Sequence, residues 1–202
     1  MYKHIFKRFF DVLISLLCLP IFFIILLIFG PLIYFSDKGT IFYNAERLGM
    51  NGTVFKMYKF RSMKLNAPDI RNEDGATFNS EDDPRLTSIG KFIRKTSIDE
   101  VPQILNVLKG DMSIVGPRPD LPEHFNVYKK TKKRKLSVRP GITGYNQAYF
   151  RNTIPWKERI QNDIYYIDHL SFWMDIRVVF KTAWSILSRK SVFIEVEEKN
   201  EQ

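Results

Sequence analysis

Val12-Leu13-Ile14-Ser15-Leu16-Leu17-Cys18-Leu19-Pro20-Ile21-Phe22-Phe23-Ile24-Ile25-Leu26-Leu27-Ile28-Phe29-Gly30-Pro31-Leu32-Ile33-Tyr34-Phe35 is a run of 24 residues without a charge. A bilayer-spanning helix needs only about 20 apolar residues, so the run belongs to a membrane. A cleaved signal peptide would have an apolar region of ~7 to 15 residues followed by a small-residue cleavage site, and neither condition is met. Lys3, Lys7 and Arg8 precede the run while Lys38 and Arg47 follow it, so both flanks favour the cytoplasm. A straight helix of this length would reach ~36 Å and span. Pro20 lies inside the run, however, and a break there leaves arms of ~12 and ~22 Å, each shorter than the ~30 Å hydrocarbon core. Flanks and proline together predict a re-entrant helix-break-helix over residues 1–35, with an ordinary spanning helix as the alternative.

Working outward, the chain has the material of one globular domain. Its 202 residues are 45% hydrophobic and 26% charged, with 17 Phe, 9 Tyr and 3 Trp, which excludes a disordered chain and a multidomain machine. Thirty-one basic residues against 22 acidic ones give +9 and point to an anionic partner such as nucleic acid, a phosphorylated ligand or an anionic membrane surface. The single cysteine, Cys18, excludes an internal disulfide, and its apolar setting disfavours a catalytic or metal-binding thiol.

Thr40-Ile41-Phe42-Tyr43 and Thr53 to Phe60, with Asn51-Gly52 as the turn, predict a small hairpin. Asn66 to Asp83 reads as a surface loop and Ser88 to Lys95 as a short basic helix. Pro102 suits a first helical turn and Gly110 a helix stop, so a helix is predicted from near Asp99 to near Lys109. Gly116-Pro117-Arg118-Pro119 and Pro140-Gly141-Ile142-Thr143-Gly144 read as rigid turns. Two amphipathic helices follow, Trp156 to Ile167 and Phe172 to Leu187. Ser171 caps the second, whose stripe is Phe172, Ile176, Val179, Phe180, Ala183 and Leu187, and Trp173 and Trp184 are expected in the core. The fold class is α+β, mostly helical with a short β-hairpin: a membrane segment (1–35), a globular domain (36–190) and a polar tail (191–202).

Asp99 and Glu100 at a helix start have an ordinary explanation in the helix dipole. Their surroundings suggest more. Lys59 and Arg61 on the hairpin, Arg94 shortly before Asp99 and Arg118 in the rigid turn all suit phosphate oxygens. Carboxylates among such cations fit phosphoryl transfer, with one carboxylate attacking phosphorus or holding a divalent metal. The sequence has no glycine-rich nucleotide cradle, no zinc-spaced His/Cys cluster and no hydrolase triad, and His4, His124 and His169 read as structural. Lys129-Lys130-Thr131-Lys132-Lys133-Arg134-Lys135 reads either as a solvated segment or, given the apolar run, as one attracted to anionic lipid at ~1 kcal/mol per basic residue. Nucleic acid is the disfavoured partner.

Five segments carry a resemblance: Tyr58-Lys59-Phe60-Arg61-Ser62-Met63, Asp99-Glu100-Val101-Pro102-Gln103, Asn106-Val107-Leu108-Lys109-Gly110-Asp111-Met112-Ser113, Val115-Gly116-Pro117-Arg118-Pro119 and Val138-Arg139-Pro140-Gly141-Ile142-Thr143-Gly144. In this order and spacing they resemble the bacterial sugar transferases, the monotopic phosphoglycosyl transferases that start membrane-linked glycans. The resemblance runs from Lys7-Arg8 to about Leu187 and is most specific between Asp99 and Pro119. It implies transfer of a sugar 1-phosphate from a UDP-sugar to a polyprenol phosphate, such as undecaprenyl phosphate, giving polyprenol diphosphosugar and UMP as the first membrane step of glycan assembly. It also implies Asp99 as the nucleophile of a covalent aspartyl-phosphosugar, Glu100 as a base or metal holder, and Mg²⁺ on Asp99 and Glu100. Lys59, Arg61, Arg94, Pro117, Arg118, Pro119 and Asp163 are implied at the substrate. The implied location is the cytoplasmic face of a bacterial inner membrane, with anionic lipid as a further partner and a homodimer left open.

The sequence departs from the family in two places. The family bends its membrane helix at a Ser-Pro pair, whereas here Leu19-Pro20 stands about one turn earlier. Tyr145-Asn146-Gln147-Ala148-Tyr149-Phe150-Arg151-Asn152 replaces a stretch in which many relatives have Asn-Gly before Arg-Asn, so the sugar is not inferred. The spanning helices of longer relatives are not seen, and a minimal catalytic form is expected. The rival readings are a membrane-tethered basic module that binds lipid or nucleic acid without catalysis, and a lipid-diphosphate hydrolase, which product analysis distinguishes.

Overall fold

The computed structural model describes residues 2–70, 80, 82–128, 132–150, 154 and 156–188. Part of the expected 66–83 loop, Lys129 to Thr131 and the tail (191–202) lie outside the described residues. The apolar run forms helix α1 (Lys7–Asp37), entered through a π-helical turn at Tyr2–Phe6. Helical structure continues through Pro20 and Pro31, so the two expected arms are one helix of 31 residues, ~46 Å long if straight. Each proline removes one helical hydrogen-bond donor, but the turns around Pro20 are held from outside, because Cys18, Leu19 and Phe22 pack with Phe60, Ile93 and Ile104. By length and composition α1 could cross a membrane.

The hairpin forms β1 (Phe42–Leu48) and β2 (Val54–Phe60), antiparallel from Phe42 opposite Phe60 to Leu48 opposite Val54. The first strand therefore begins two residues later than Thr40 and runs on to Leu48. Asn51 (φ 58°) and Gly52 (φ 81°) both take the left-handed conformation that this turn requires. Next come α2 (Ser88–Lys95), capped by the Thr87 hydroxyl, a 3₁₀ turn (Ile98–Glu100) and α3 (Gln103–Lys109), which Gly110 closes at φ 100°. A two-residue pairing unforeseen in the sequence joins β3 (Ser113–Val115) in parallel to β4 (Gly141–Thr143). The remaining elements are α4 (His124–Val127), a 3₁₀ stretch (Lys132–Ser137), α5 (Tyr145–Tyr149), α6 (Trp156–Asp168) and α7 (Phe172–Leu187). The class is α+β, as expected.

One face of α1 rests on the domain from its first turn to its last. Lys7 pairs with Asp175 at 2.6 Å, Arg8 donates to the Val107 and Leu108 carbonyls that end α3, and Asp11 accepts from Ser113 Oγ and Ile114 N at 3.0 and 2.9 Å. Farther along, Phe29 stacks on Phe92, and at the far end Asp37 receives Arg61 at 2.5 and 2.6 Å. The opposite face, including Leu17, Phe23, Leu27 and Phe35, is exposed.

Helix α7 is turned the other way from its sequence reading. Asp175, Val178 and Ser185 are buried, while Trp173, Phe180 and Trp184 are 69%, 71% and 65% exposed. Lys7, Tyr2 and Tyr166 each bind the Asp175 carboxylate at 2.6 Å, which draws that side inward and sends the apolar stripe outward. The tryptophans expected in the core are thus surface residues. Phe172 lies 5.4 Å from Phe10, so the exposed apolar faces of α1 and α7 adjoin.

The Arg61–Asp37 clamp closes the end of α1. Arg61 is buried and also donates to the Thr40 and Met63 carbonyls. Its guanidinium outweighs the desolvation of Asp37 and holds that carboxyl down at about 2. Asp37→Asn is expected to cost about 2 kcal/mol, because a buried cation loses its charged acceptor. The wild type should lose the same contribution as pH falls from the ordinary 3.8 towards about 2. Thermal midpoints of the two proteins in detergent should therefore differ at neutral pH and converge in acid; equal midpoints at neutral pH would show that the clamp contributes nothing.

Candidate functional site

Asp99 and Glu100 sit in the 3₁₀ turn, not on the first turn of an α-helix as expected. The cause is local. Pro102 has no N–H to donate to the Ile98 carbonyl, so Val101 N donates to it instead, and α3 begins only at Gln103. Electrostatic help for an anion must therefore come from side chains. Ser97, which opens the turn, is left-handed at φ 58°, a conformation costing roughly 1–2 kcal/mol for a residue with a Cβ.

Lys59 arrives on β2, and Asn106 of α3 fixes that strand to the turn. The buried Asn106 side chain accepts from Tyr58 N and donates to the Lys56 carbonyl, both at 2.8 Å, acting as a partner strand would. Lys59 Nζ then lies 2.7 Å from Glu100 Oε1 and 3.7 Å from Asp99 Oδ2. Arg118 Nη1 lies 3.6 Å from the same Glu100 oxygen. It is carried by the turn after β3, where backbones meet closely: a Cβ on Gly141 would lie 2.1 Å from Gly116 N, and one on Gly144 2.1 Å from Gly116 O. Pro117 and Pro119 shape this turn, and the Pro117 carbonyl accepts from Gly141 N at 2.9 Å. Arg94, in the last turn of α2, is close enough to Asp99 for each charge to favour the other's ionised form. Its Nη1 is buried with no hydrogen-bond partner among the described residues.

The two carboxyls are driven apart. Burial raises Asp99 above the ordinary range, with Lys59 opposing and Glu100 adding to the rise. Burial also pushes Glu100 up, but Lys59 and Arg118 together outweigh it and bring Glu100 to about 2. Asp99 is thus the more basic of the two carboxylates, and Glu100 is the one held in its ionised form.

Lys59, Arg94, Arg118, Pro117 and Pro119 are therefore gathered with Asp99 and Glu100, whereas two expected site residues are engaged elsewhere. Arg61 is committed to Asp37. Asp163 is buried on α6, 3.0 Å from Lys135 Nζ and accepting from Asn146 at 2.7 Å. Within the lysine run Lys135 departs from its reading, since it is buried between Asp120 and Asp163, whereas Arg134, paired with Asp168, and Lys133, over the Phe125 ring at 4.3 Å, are exposed. The sequence reading missed Asp120; its place directly after the Arg118-Pro119 turn was the available signal. Among the described residues no three His, Cys, Asp or Glu gather as a metal site. Two adjacent carboxylates instead suit an ion shared with a phosphorylated substrate, as Mg²⁺ commonly binds.

The domain thus combines a long, exposed apolar helix with an acidic pair set among cations. The chain belongs to the bacterial sugar transferase family, whose model matches residues 2–189. It is 44% identical over 195 residues to the galactosyl transferase CpsE of Streptococcus agalactiae serotype III, covering 92% of this chain and 43% of that protein. To the undecaprenyl-phosphate galactose phosphotransferase of Salmonella typhimurium it is 37% identical, covering 93% and 41%. To the exopolysaccharide production protein ExoY of Sinorhizobium fredii it is 41% identical, covering 92% and 87%. The chain thus spans less than half the length of the first two relatives and most of the third.

Proposed function

We propose that the protein transfers a sugar 1-phosphate from a UDP-sugar to a polyprenol phosphate through a covalent intermediate on Asp99. The observation that carries this reading is the buried Asp99 carboxylate, its pKa raised by burial, 3.7 Å from Lys59 Nζ and near an Arg94 nitrogen with no hydrogen-bond partner among the described residues. The names of the relatives support the donor and acceptor classes. A carboxylate attacks phosphorus only where repulsion from the phosphate oxygens is offset, and Lys59, Arg94 and Arg118 can provide that offset. An Asp99 oxygen bonds to the phosphorus bearing the sugar, and the bond from that phosphorus to the bridging oxygen breaks, so UMP leaves with the electron pair. A polyprenol phosphate oxygen then attacks the same phosphorus and the acyl-phosphate bond breaks, restoring the Asp99 carboxylate. Glu100, at about 2, is a poor proton acceptor and serves instead to hold the cations in place. Magnesium, held by Asp99 or Glu100 together with the diphosphate, would supply further charge neutralisation.

The adjoining apolar faces of α1 and α7 fit insertion into the cytoplasmic leaflet of the bacterial inner membrane. Both ends of α1 are tied to the same domain, which supports a helix that enters the leaflet without crossing the bilayer. Purified protein given UDP-galactose, UDP-glucose or UDP-N-acetylgalactosamine with Mg²⁺ and undecaprenyl phosphate should release UMP and form a lipid-linked diphosphosugar. Sugar phosphate found free in water instead of on lipid would make the protein a hydrolase. Tags at both termini should be reachable only from the cytoplasm, and a periplasmic N-terminus would overturn the leaflet assignment.

Lys59→Met supplies a pH test. Lys59 favours the ionised form of both carboxyls, so its removal raises both. Because Asp99 reacts as the anion, the acid limb of the UMP-release profile should move to higher pH. An unmoved limb with a uniformly lower rate would show that Lys59 binds substrate without tuning Asp99.

A further inference from the structure

Arg118 is more than half exposed, its side chain at 53%, so packing alone does not decide where its guanidinium reaches. Its backbone does, and that backbone is pinned at both ends. Before Arg118, Gly116 N donates to Thr143 O at 2.8 Å and the Pro117 carbonyl is held by Gly141 N. After it, the Asp120 carbonyl accepts from Leu48 N at 2.8 Å. The Asp120 carboxylate is anchored in addition, since one oxygen, Oδ2, accepts from both Lys135 Nζ and the Tyr128 hydroxyl. Lys135, only 5% exposed, makes its second ion pair with Asp163, which Asn146 holds, and Asn162 donates to Asn146 at 3.0 Å. A buried ammonium thus joins α6 and α5 to the segment that carries Arg118.

We propose that Asp120 is a positioning residue, fixed by Lys135 and Tyr128, which sets Arg118 against the substrate diphosphate. The inference rests on the transferase reading above. The two carboxylates on Lys135 provide an internal control: Asp120→Asn and Asp163→Asn each remove one charge from the same buried ammonium and leave it one partner, yet only Asp120 belongs to the Arg118 turn.

The readout is UMP release with whichever of the three UDP-sugars the wild type uses, with thermal midpoints measured alongside. Asp120→Asn should lower kcat/KM about tenfold to a hundredfold, mainly through KM for the UDP-sugar, while Asp163→Asn should lower it less than about threefold. In an Arg118→Ala background, Asp120→Asn should add less than about a twofold loss, because the group it positions is gone. Should Asp120→Asn fail to fold, Tyr128→Phe removes the other donor to the same oxygen without changing charge, and its loss should likewise vanish in the Arg118→Ala background. Equal losses for the two aspartates, or losses that multiply fully with Arg118→Ala, would overturn the positioning role while leaving the transferase reading intact. Absence of UMP release by the wild type with all three donors would overturn both.

Discussion

Asp99→Asn is expected to abolish UMP release in the absence of acceptor, together with full turnover, by about 10⁴-fold or more. An amide keeps the shape and much of the hydrogen bonding of the carboxylate but cannot attack phosphorus. Lys59 and Arg94 would still face the diphosphate in this variant, so UDP-sugar binding should survive far better than turnover. Mass spectrometry of wild-type protein quenched with UDP-sugar and Mg²⁺ should find a sugar-phosphate adduct on the peptide containing Asp99, and the variant should show none. Glu100→Gln should cost less, about 10²-fold, since it removes an anion that arranges the cations rather than the atom that bonds to phosphorus. Robust turnover by Asp99→Asn, with hydrolytic reversion to Asp excluded, would show that polyprenol phosphate attacks directly and would reduce Asp99 to a ligand or anchor.

The largest stability effect is expected at Lys135. Burial works against its charge, but Asp120 and Asp163 more than compensate and hold it ionised above the ordinary range. Lys135→Met leaves two buried carboxylates without their cation, and breaking a buried ion pair from one side costs about 3–5 kcal/mol. Lys133→Met, a few residues away, should cost about 1 kcal/mol or less, the worth of an exposed contact with an aromatic ring. The loss in Lys135→Met should shrink as pH falls. Without the ammonium both carboxyls titrate above their unfolded values, so the folded state takes up protons that the unfolded chain does not, and acid stabilises it relative to neutral pH. Thermal midpoints of the three proteins between neutral pH and mild acid check both statements. Similar midpoints for Lys135→Met and Lys133→Met would mean that the buried network contributes little.

The pair Lys133 and Lys135 shows where reading a sequence stops. Six basic residues in seven look alike as composition, and nothing in Lys129 to Lys135 marks the last as buried. The distinction is made by Asp120 and Asp163, which reach it from another loop and another helix. Arg61 is a similar case: two residues from Lys59 it looks like a second phosphate contact, and Asp37 at the end of α1 takes it instead. The 3₁₀ turn at Asp99 was more accessible, since Pro102 alone forbids the bond that an α-helix would need there.

By itself the sequence determined what depends on neighbours along the chain. The apolar run, the Asn51-Gly52 turn, α2, the Gly110 stop, the Ser171 cap and the turn at Gly116 to Pro119 all follow from residue type and spacing, as does the acidic pair, whereas Gly141 to Thr143, expected in a turn, forms β4 because β3 lies beside it. Tertiary structure alone decided which charges meet and which faces are covered. Lys7 and Asp175, 168 residues apart, set the rotation of α7 and so put Trp173 and Trp184 outside. A helical stripe records that one side is apolar, but burial goes to whichever side closes the costlier polar contacts, and those partners are brought together only when the chain folds back on itself.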